Sequence, residues 1–446
     1  MVKRFVLATL GCKVNQCESE GIAQALSDAG WAAAKSGAPA DLVVVNTCTV
    51  TGRAAMQSRG AIRQAVRKHP EARIVVTGCH AQTEAELLST IPGVAAVVGH
   101  ADKHRIPELA DGFLSDFTPG PEGESPGPRV LRRDLTDYRE FFPAPALAAG
   151  ERTRPFLKIQ DGCDAFCTYC IVPYARGRSR SMRLGSVLER IAALADANVR
   201  ETVLTGIHLG RWGRDLDPPI SLADLLRKIE AQGRMDRVRL SSIESHELTD
   251  ELLEVVAGSD RFCDHLHIPL QSGDDDVLRR MGRPYTAAEY AERVRRAAKV
   301  LPDAAFGADV LVGFPGEEES AFRNTCDLVE SLPATYLHVF PFSPRQGTQA
   351  AGFPDPVPSD VIKERCRVLR ELGAAKRAAF YRRFAGRTVS VLVEDRPDRE
   401  TGNLKGVSGN YLTVLLEETE GRGNQLVKAR IDRVEEAVPR AWGTAM

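Results

Sequence analysis

Two rhythms of apolar and polar positions organise the chain. As far as about Lys103, short apolar runs bounded by Gly, Asn or Thr alternate with Ala-rich stretches of helical length; the runs are 5–9, 41–45, 73–77 and a weaker 95–98. Strands alternating with helices predict a parallel sheet, so this part reads as an open α/β domain. Seven of the ten residues at 119–128 are then Pro or Gly, the composition of a linker. From about Arg154 the alternation resumes, with strands expected at 156–160, 202–206, 238–242, 265–270, 306–312 and 336–341 and helices at 185–197, 222–232, 287–300 and 317–332. Six βα units predict a partial version of the eight-unit barrel, with its active face at the carboxyl ends of the strands, although an open doubly wound sheet would give the same strings. A charged helix at 361–384 leads to short runs at 388–393, 402–407, 411–416 and 425–431, the pattern of a small antiparallel barrel. The expected domains are therefore 1–112, a linker at 113–150, 151–380 and 381–446.

Composition narrows this picture. A chain of 446 residues exceeds what one core usually organises, and 43% apolar content excludes disorder as its main state. Lys+Arg total 59 against Asp+Glu 60, so a bulk polycation is excluded and any nucleic-acid contact must come from a local patch. The opening MVKRFVLATLGCKVNQ has neither a secretory apolar core nor a membrane span, so a cytoplasmic location with no membrane contact is expected. In a reducing compartment ten cysteines point to metal ligands, reactive thiols or core fillers, and a disulfide framework is excluded.

Cys163, Cys167 and Cys170 form a C-x3-C-x2-C run directly after the 156–160 strand. Three thiolates in eight residues can wrap one face of a cubane cluster and leave one metal open. Structural zinc would want a fourth ligand, and no second C-x2-C pair exists; zinc and core cysteines are the plainer readings. Cys12, Cys48 and Cys79 are dispersed, but each follows a predicted strand of the N-terminal sheet. Positions just past the ends of neighbouring parallel strands share one crevice, so three thiols can converge there, and a second iron–sulfur cluster explains them better than an empty pocket. Buried packing cysteines are the alternative. Cys17, Cys263, Cys326 and Cys366 show no metal spacing and read as fillers; Cys17, five residues after Cys12, could instead handle sulfur.

At this point the chain resembles the radical S-adenosylmethionine (SAM) methylthiotransferases over nearly its whole length. The resemblance rests on TLGCKVNQCESE from Thr9, NTCTV from Asn46, TGCHAQ from Thr77, KIQDGCDAFCTYCIVPYARGRSRS from Lys158, HIPLQSGDDDVLRRMGRPYT from His267, DVLVGFPGE from Asp309 and HVFPFSPRQGT from His338. It is closest to the branch that methylthiolates threonylcarbamoyl-adenosine in tRNA, ahead of the branches acting on isopentenyl-adenosine or on a ribosomal protein. The resemblance implies a radical SAM barrel and a C-terminal RNA-binding barrel of the TRAM type. It implies two [4Fe-4S] clusters, one on Cys163, Cys167 and Cys170 that binds SAM and one on Cys12, Cys48 and Cys79 that holds the sulfur. One SAM would yield a deoxyadenosyl radical and another the methyl group at C2 of the base at tRNA position 37, with an electron donor and a sulfur donor that remain unidentified.

Further contacts are expected at strand ends. Gly206, Ser242, Glu244, Gln271 and Gly313 are candidate cofactor residues; the usual Gly-Gly-Glu form is absent at Thr205–Gly210, and each position also reads as a turn or solvated loop. Arg176, Arg178, Arg180 and Arg183 form a cationic run that could hold RNA phosphates, or be a solvated face. Phe384 and Tyr411 are the aromatic candidates for base stacking near the C-terminal barrel. A non-catalytic iron–sulfur RNA-binding protein and a two-cluster electron carrier are the readings of other classes. A carrier wants four ligands per cluster, and two incomplete triads count against it.

Overall fold

The computed structural model describes residues 2–35, 37–115, 127–142, 152–417, 423–435 and 440–446. The chain folds into two compact units, one comprising Met1–Gly150, Gln160–Ser181 and Ser343–Ala351, the other Glu151–Ile159, Met182–Phe342 and Gly352–Met446.

The first unit opens with β1 (Arg4–Thr9), α1 (Lys13–Asp28), β2 (Ala32–Ala33), β3 (Leu42–Thr47) and α2 (Gly52–Lys68). It continues through β4 (Arg73–Gly78), α3 (Cys79–Thr83), α4 (Ala85–Ser89), β5 (Val94–Val98), α5 (Ile106–Ser115) and β6 (Arg129–Leu131). The strands form one parallel sheet in the order β2-β1-β3-β4-β5-β6. All six residues of β3 are buried. Leu42 and Val44 point to one face with Leu26 and Ile106, while Val43 and Val45 point to the other with Ile62 and Leu88. Period-two alternation thus feeds two cores, and each such side chain removed from water contributes on the order of 2 kcal/mol. Strand order reverses about β1, which opens a crevice at the carboxyl ends of β1 and β3. Of the expected linker, residues 116–126 and 143–150 lie outside the described residues, whereas Arg129–Leu131 is an edge strand paired with β5.

The chain visits the second unit at β7 (Phe156–Lys158) and returns to the first for β8 (Gln160–Asp161), α6 (Val172–Arg176) and β9 (Arg180–Ser181). The second unit then builds α7 (Leu184–Asp196), β10 (Glu201–Thr205), α8 (Leu222–Gln232), β11 (Arg237–Leu240), α9 (Asp250–Ala257) and β12 (His265–His267). There follow α10 (Asp275–Arg280), α11 (Ala287–Val300), β13 (Ala305–Val312), α12 (Glu319–Ser331) and β14 (Tyr336–Pro341). β7, β10 and β11 pair in parallel, as do β12, β13 and β14, and a Ser242–His267 bridge joins the two ladders. Strands added in chain order on one side make a singly wound, barrel-type sheet; a doubly wound sheet would reverse.

Helix α13 (Ser359–Arg382) leads to β15 (Thr388–Pro397), β16 (Leu404–Ser408), β17 (Thr413–Glu417), β18 (Leu426–Glu435) and β19 (Arg440–Ala445), a closed barrel in the order β15-β16-β17-β19-β18. The unpredicted fifth strand, β19, pairs antiparallel with β18 but parallel with β17, so the barrel is not wholly antiparallel. The barrel is fastened to the rest of its unit by buried charge. Glu201 accepts from Arg239 Nε and Arg237 Nε, each at 2.9 Å. The same guanidiniums donate to the carbonyls of Ser390, Val407, Ser408 and Gly409 at 2.9–3.1 Å. Among the described residues no helix is long and apolar enough to cross a membrane.

Candidate metal centre

Cys12, Cys48 and Cys79 stand just beyond β1, β3 and β4, and two glycines bring their turns together. Gly11 has φ +100°, and a Cβ on it would lie 2.8 Å from Cys48 Cβ and 2.9 Å from Cys48 Sγ. Gly78, at φ +101°, passes so close that its Cβ would be 2.3 Å from the Thr47 carbonyl. Left-handed backbone at such close approach admits only glycine. Asn15 clips two of the turns: its amide donates to Leu10 O at 2.8 Å and Thr47 O at 3.0 Å. Ser58 holds the third side, accepting from Cys48 N at 3.0 Å and donating to Cys48 O at 2.8 Å.

Burial pushes the Cys48 thiol up and the Cys79 thiol up to about 12, and the neighbouring thiols push the same way while Arg176 pulls down. Cys12 is exposed and Cys48 and Cys79 are buried; three neighbouring thiols, two of them buried, are costly as free thiolates and well suited to a bound cation or cluster. The compensating charge is built in. Arg176 donates to Glu18 and to Asp161, both at 2.9 Å, and to Asn15 Oδ1 at 2.5 Å; Lys103 adds a contact to Glu18 at 2.5 Å. The residues present therefore fit an iron–sulfur group with three protein ligands.

The contiguous run lies between β8 and β9 in the same unit. Gly162 has φ +70°, and any Cβ there would strike the Arg178 carbonyl at 1.9 Å. Cys163 N–H donates to Gly177 O at 3.0 Å, Ala165 N–H points at Cys163 Sγ at 3.4 Å, and Cys170 N–H donates to Cys167 O at 2.9 Å. Phe166 adopts φ +47°, rare for an aromatic residue, and turns the loop so that its ring lies under Arg178. Cys163 and Cys170 are half-buried and Cys167 is 9% exposed. Amide-to-sulfur contact and a tight loop match what cluster thiolates require.

The arginine run divides. Arg176 and Arg180 are 1% and 4% exposed, and Arg180 shares Asp161 with Arg176 at 3.3 Å. Both are corrected: their guanidiniums are spent on buried carboxylates and reach no phosphate. Arg178 keeps 41% of its side chain exposed and Arg183, the N-cap of α7, is exposed. Phe384 is also corrected as a stacking residue, because it is 2% exposed and packs on Phe380 inside the barrel core. Tyr411 is 38% exposed but already covers His265 at 4.3 Å and lies beneath Arg239. Cys17, Cys263 and Cys366 are buried and Cys326 half-buried.

In the second unit Gly206 follows β10 half-buried and Ser242 follows β11 exposed. Glu244 is ion-paired to Arg283, and Gly313 gives its N–H to Glu317 at 3.1 Å while packing against Ile362, so both are engaged within the protein. Gln271 adopts φ +70°, fixed by backbone bonds to Asp309 O at 2.8 Å and from Leu311 N at 2.9 Å. Two clusters not singled out by the sequence also form in this unit. His208, His246 and Glu247 gather beside a cavity of about 310 Å³ lined by Gly210, Trp212 and Arg214, and His267, Asp309 and His338 gather on β12, β13 and β14. Polar residues after β10 and β11 and within β12, β13 and β14 were the available signal.

Residues 4–99 match the family described as Uncharacterized protein family UPF0004, and residues 157–329 match the Radical SAM superfamily. Over 426 residues the chain is 38% identical to the threonylcarbamoyladenosine tRNA methylthiotransferase MtaB of Bacillus subtilis (strain 168), covering 95% of this chain and 92% of that protein. The chain belongs to the radical SAM methylthiotransferases. This methylthiotransferase is also 34% identical over 412 residues to the tRNA-2-methylthio-N(6)-dimethylallyladenosine synthase of Syntrophotalea carbinolica, covering 91% of each. Its fold is similar to that of the radical S-adenosylmethionine methyltransferase TsrM from Kitasatospora setae, with a TM-score of 0.59 at 18% identity over 79% of this chain and 77% of that one. Membership of the radical SAM superfamily implies one [4Fe-4S] cluster and SAM.

Proposed function

We propose that this methylthiotransferase acts on N6-threonylcarbamoyladenosine at position 37 of tRNA, replacing C2–H by C–SCH3 with one SAM as radical source and a second as methyl donor. The supporting observation is the pair of three-thiol sets within one unit, each one donor short of closing a cubane. Cys163, Cys167 and Cys170 would hold the SAM-binding cluster, and Cys12, Cys48 and Cys79 a second [4Fe-4S] cluster. An unactivated aromatic C–H offers no acid, base or nucleophile route, so the bound groups supply the radical and the sulfur. The protein's own residues hold and balance them. Asn15 and the glycine turns fix the dispersed thiols, and Arg176 with Lys103 places positive charge beside the buried Cys79 sulfur. The Ala165 amide supports Cys163. Gly206, Ser242 and Gln271 are the strand-end positions left for cofactor contact, and Arg178 and Arg183 the arginines left for RNA phosphates. A tRNA substrate also fits a cytoplasmic location.

The substrate follows the relative named for threonylcarbamoyladenosine, 38% identical, over the one named for dimethylallyladenosine, 34% identical. Anaerobic reconstitution should give about eight irons per chain and reductive formation of 5′-deoxyadenosine from SAM. Nucleoside mass spectrometry of tRNA from a strain lacking the protein should show the methylthio form of threonylcarbamoyladenosine missing. Loss of the isopentenyl derivative instead would reassign the substrate, and unchanged tRNA would overturn the reading.

A further inference from the structure

Strand β14 carries Tyr336, His338 and Phe340 at every second position, so all three rings stand on one face. Their centroids are 5.3 Å and 6.2 Å apart in succession. Two neighbouring strands hold this ladder. Asp309 on β13 is the cross-strand partner of His338, and its Oδ1 lies 3.2 Å from His338 Nδ1 and 2.9 Å from His267 Nε2 of β12. The Tyr336 hydroxyl lies 3.1 Å from His267 Nδ1 and 2.8 Å from His265 Nε2. Gly307 makes room for that ring, since a Cβ there would stand 2.1 Å from Tyr336 Cζ.

The direction of these bonds follows from one acceptor. Burial alone would raise the Asp309 pKa, but hydrogen bonds from His267 and His338 outweigh it and hold the carboxyl well below its usual range, so it only accepts. His267 Nε2 and His338 Nδ1 are then the donors, and in the neutral ring His267 Nδ1 accepts from the Tyr336 O–H. With Nδ1 held by Asp309, Nε2 is the outward polar atom of His338, an acceptor in the neutral tautomer, and among the described residues it has no partner. The side chain is 54% exposed and adjoins Phe340, which is 43% exposed. An oriented acceptor beside an open aromatic face is what a nucleobase with an exocyclic N–H requires.

We propose that His338 and Phe340 form a nucleobase site that takes the target N6-substituted adenine, with the base on the Phe340 ring and its N6–H donated to His338 Nε2; this rests on the RNA substrate proposed above. Asp309 is the positioning residue, acting through His338.

The test is fluorescence anisotropy, without oxygen, of the cluster-loaded enzyme with a labelled anticodon stem-loop carrying N6-threonylcarbamoyladenosine, and with its twin made abasic at that nucleotide. His338→Ala and Phe340→Ala should each weaken binding of the intact RNA by about tenfold, the size of one base–aromatic contact. His338→Gln, which keeps an acceptor, should recover part of the loss. On the abasic RNA the variants should match the wild type. Iron content and unfolding midpoint identify any variant that fails to fold. Variants within about twofold of wild type on intact RNA, or an equal loss on abasic RNA, would overturn the site while leaving the RNA substrate in place. Wild-type enzyme that binds neither RNA would bring down the proposed substrate as well.

Discussion

Asn15 accepts a hydrogen bond from Arg176 at 2.5 Å across 161 positions of sequence, while its own amide holds the carbonyls that precede Cys12 and Cys48. Arg176 therefore ties the turns of the dispersed cysteines to Asp161, two residues before Cys163. Replacing Arg176 with Gln strands part of the charge of Glu18 and Asp161, although Lys103 and Arg180 still contact them. The expected loss is about 3 kcal/mol of unfolding free energy, the low end for breaking a buried ion pair. Urea denaturation measures it, and a loss below about 1 kcal/mol would show that Arg176 is not structural.

Gly11→Ala forces a Cβ to within 3 Å of Cys48 in a left-handed turn. The variant should lose the irons of the dispersed site and keep those of the contiguous loop, falling from about eight to about four per chain. Iron analysis after reconstitution checks this, and a full complement would mean that the turn relaxes without moving Cys48.

The two cysteine sets predict separable defects. Cys167→Ala should abolish 5′-deoxyadenosine formation. Cys48→Ala should preserve it and stop methylthio transfer. Product analysis by liquid chromatography decides, and methylthiolated RNA from the Cys48 variant would remove the dispersed trio from the sulfur-handling role.

Glu201 gives a pH signature. Burial raises its pKa, but Arg239 and Arg237 prevail and hold it at about 2, below its ordinary 4.5. The unfolded chain then binds the proton first, so this contribution is complete above about pH 4.5 and is lost as pH falls toward about 2. It amounts to about 3 kcal/mol at most. Glu201→Gln should therefore be less stable than wild type at neutral pH, with the gap closing on acidification; a gap constant with pH would contradict the assignment.

The strand-end cysteines were legible because each apolar run stops where its thiol begins, at Thr47–Cys48 and Gly78–Cys79. Backbone period alone places such residues. Arg176 and Arg178 are the same residue type two positions apart, yet one is buried and the other exposed, because Glu18 arrives from 158 positions away to pair with the first. No local pattern carries that information. β19 escaped notice because Arg440–Ala445 has Gly443 inside it and owes its extension to pairing with β17 and β18. The ladder of Tyr336, His338 and Phe340 is visible as alternation, but its partner Asp309 is fixed only by the register of β13 against β14.

The two guanidiniums of β11 reach into the carbonyls of Ser390, Val407, Ser408 and Gly409, so the small barrel supplies acceptors that buried charges of its neighbour require. A chain cut after residue 380 would remove those acceptors and leave Arg237 and Arg239 with only Glu201 and solvent as partners. Substitutions on the barrel's outer residues therefore disturb less of the unit than deleting it, and a graft of this barrel onto another enzyme would need a matching pair of arginines at the seam.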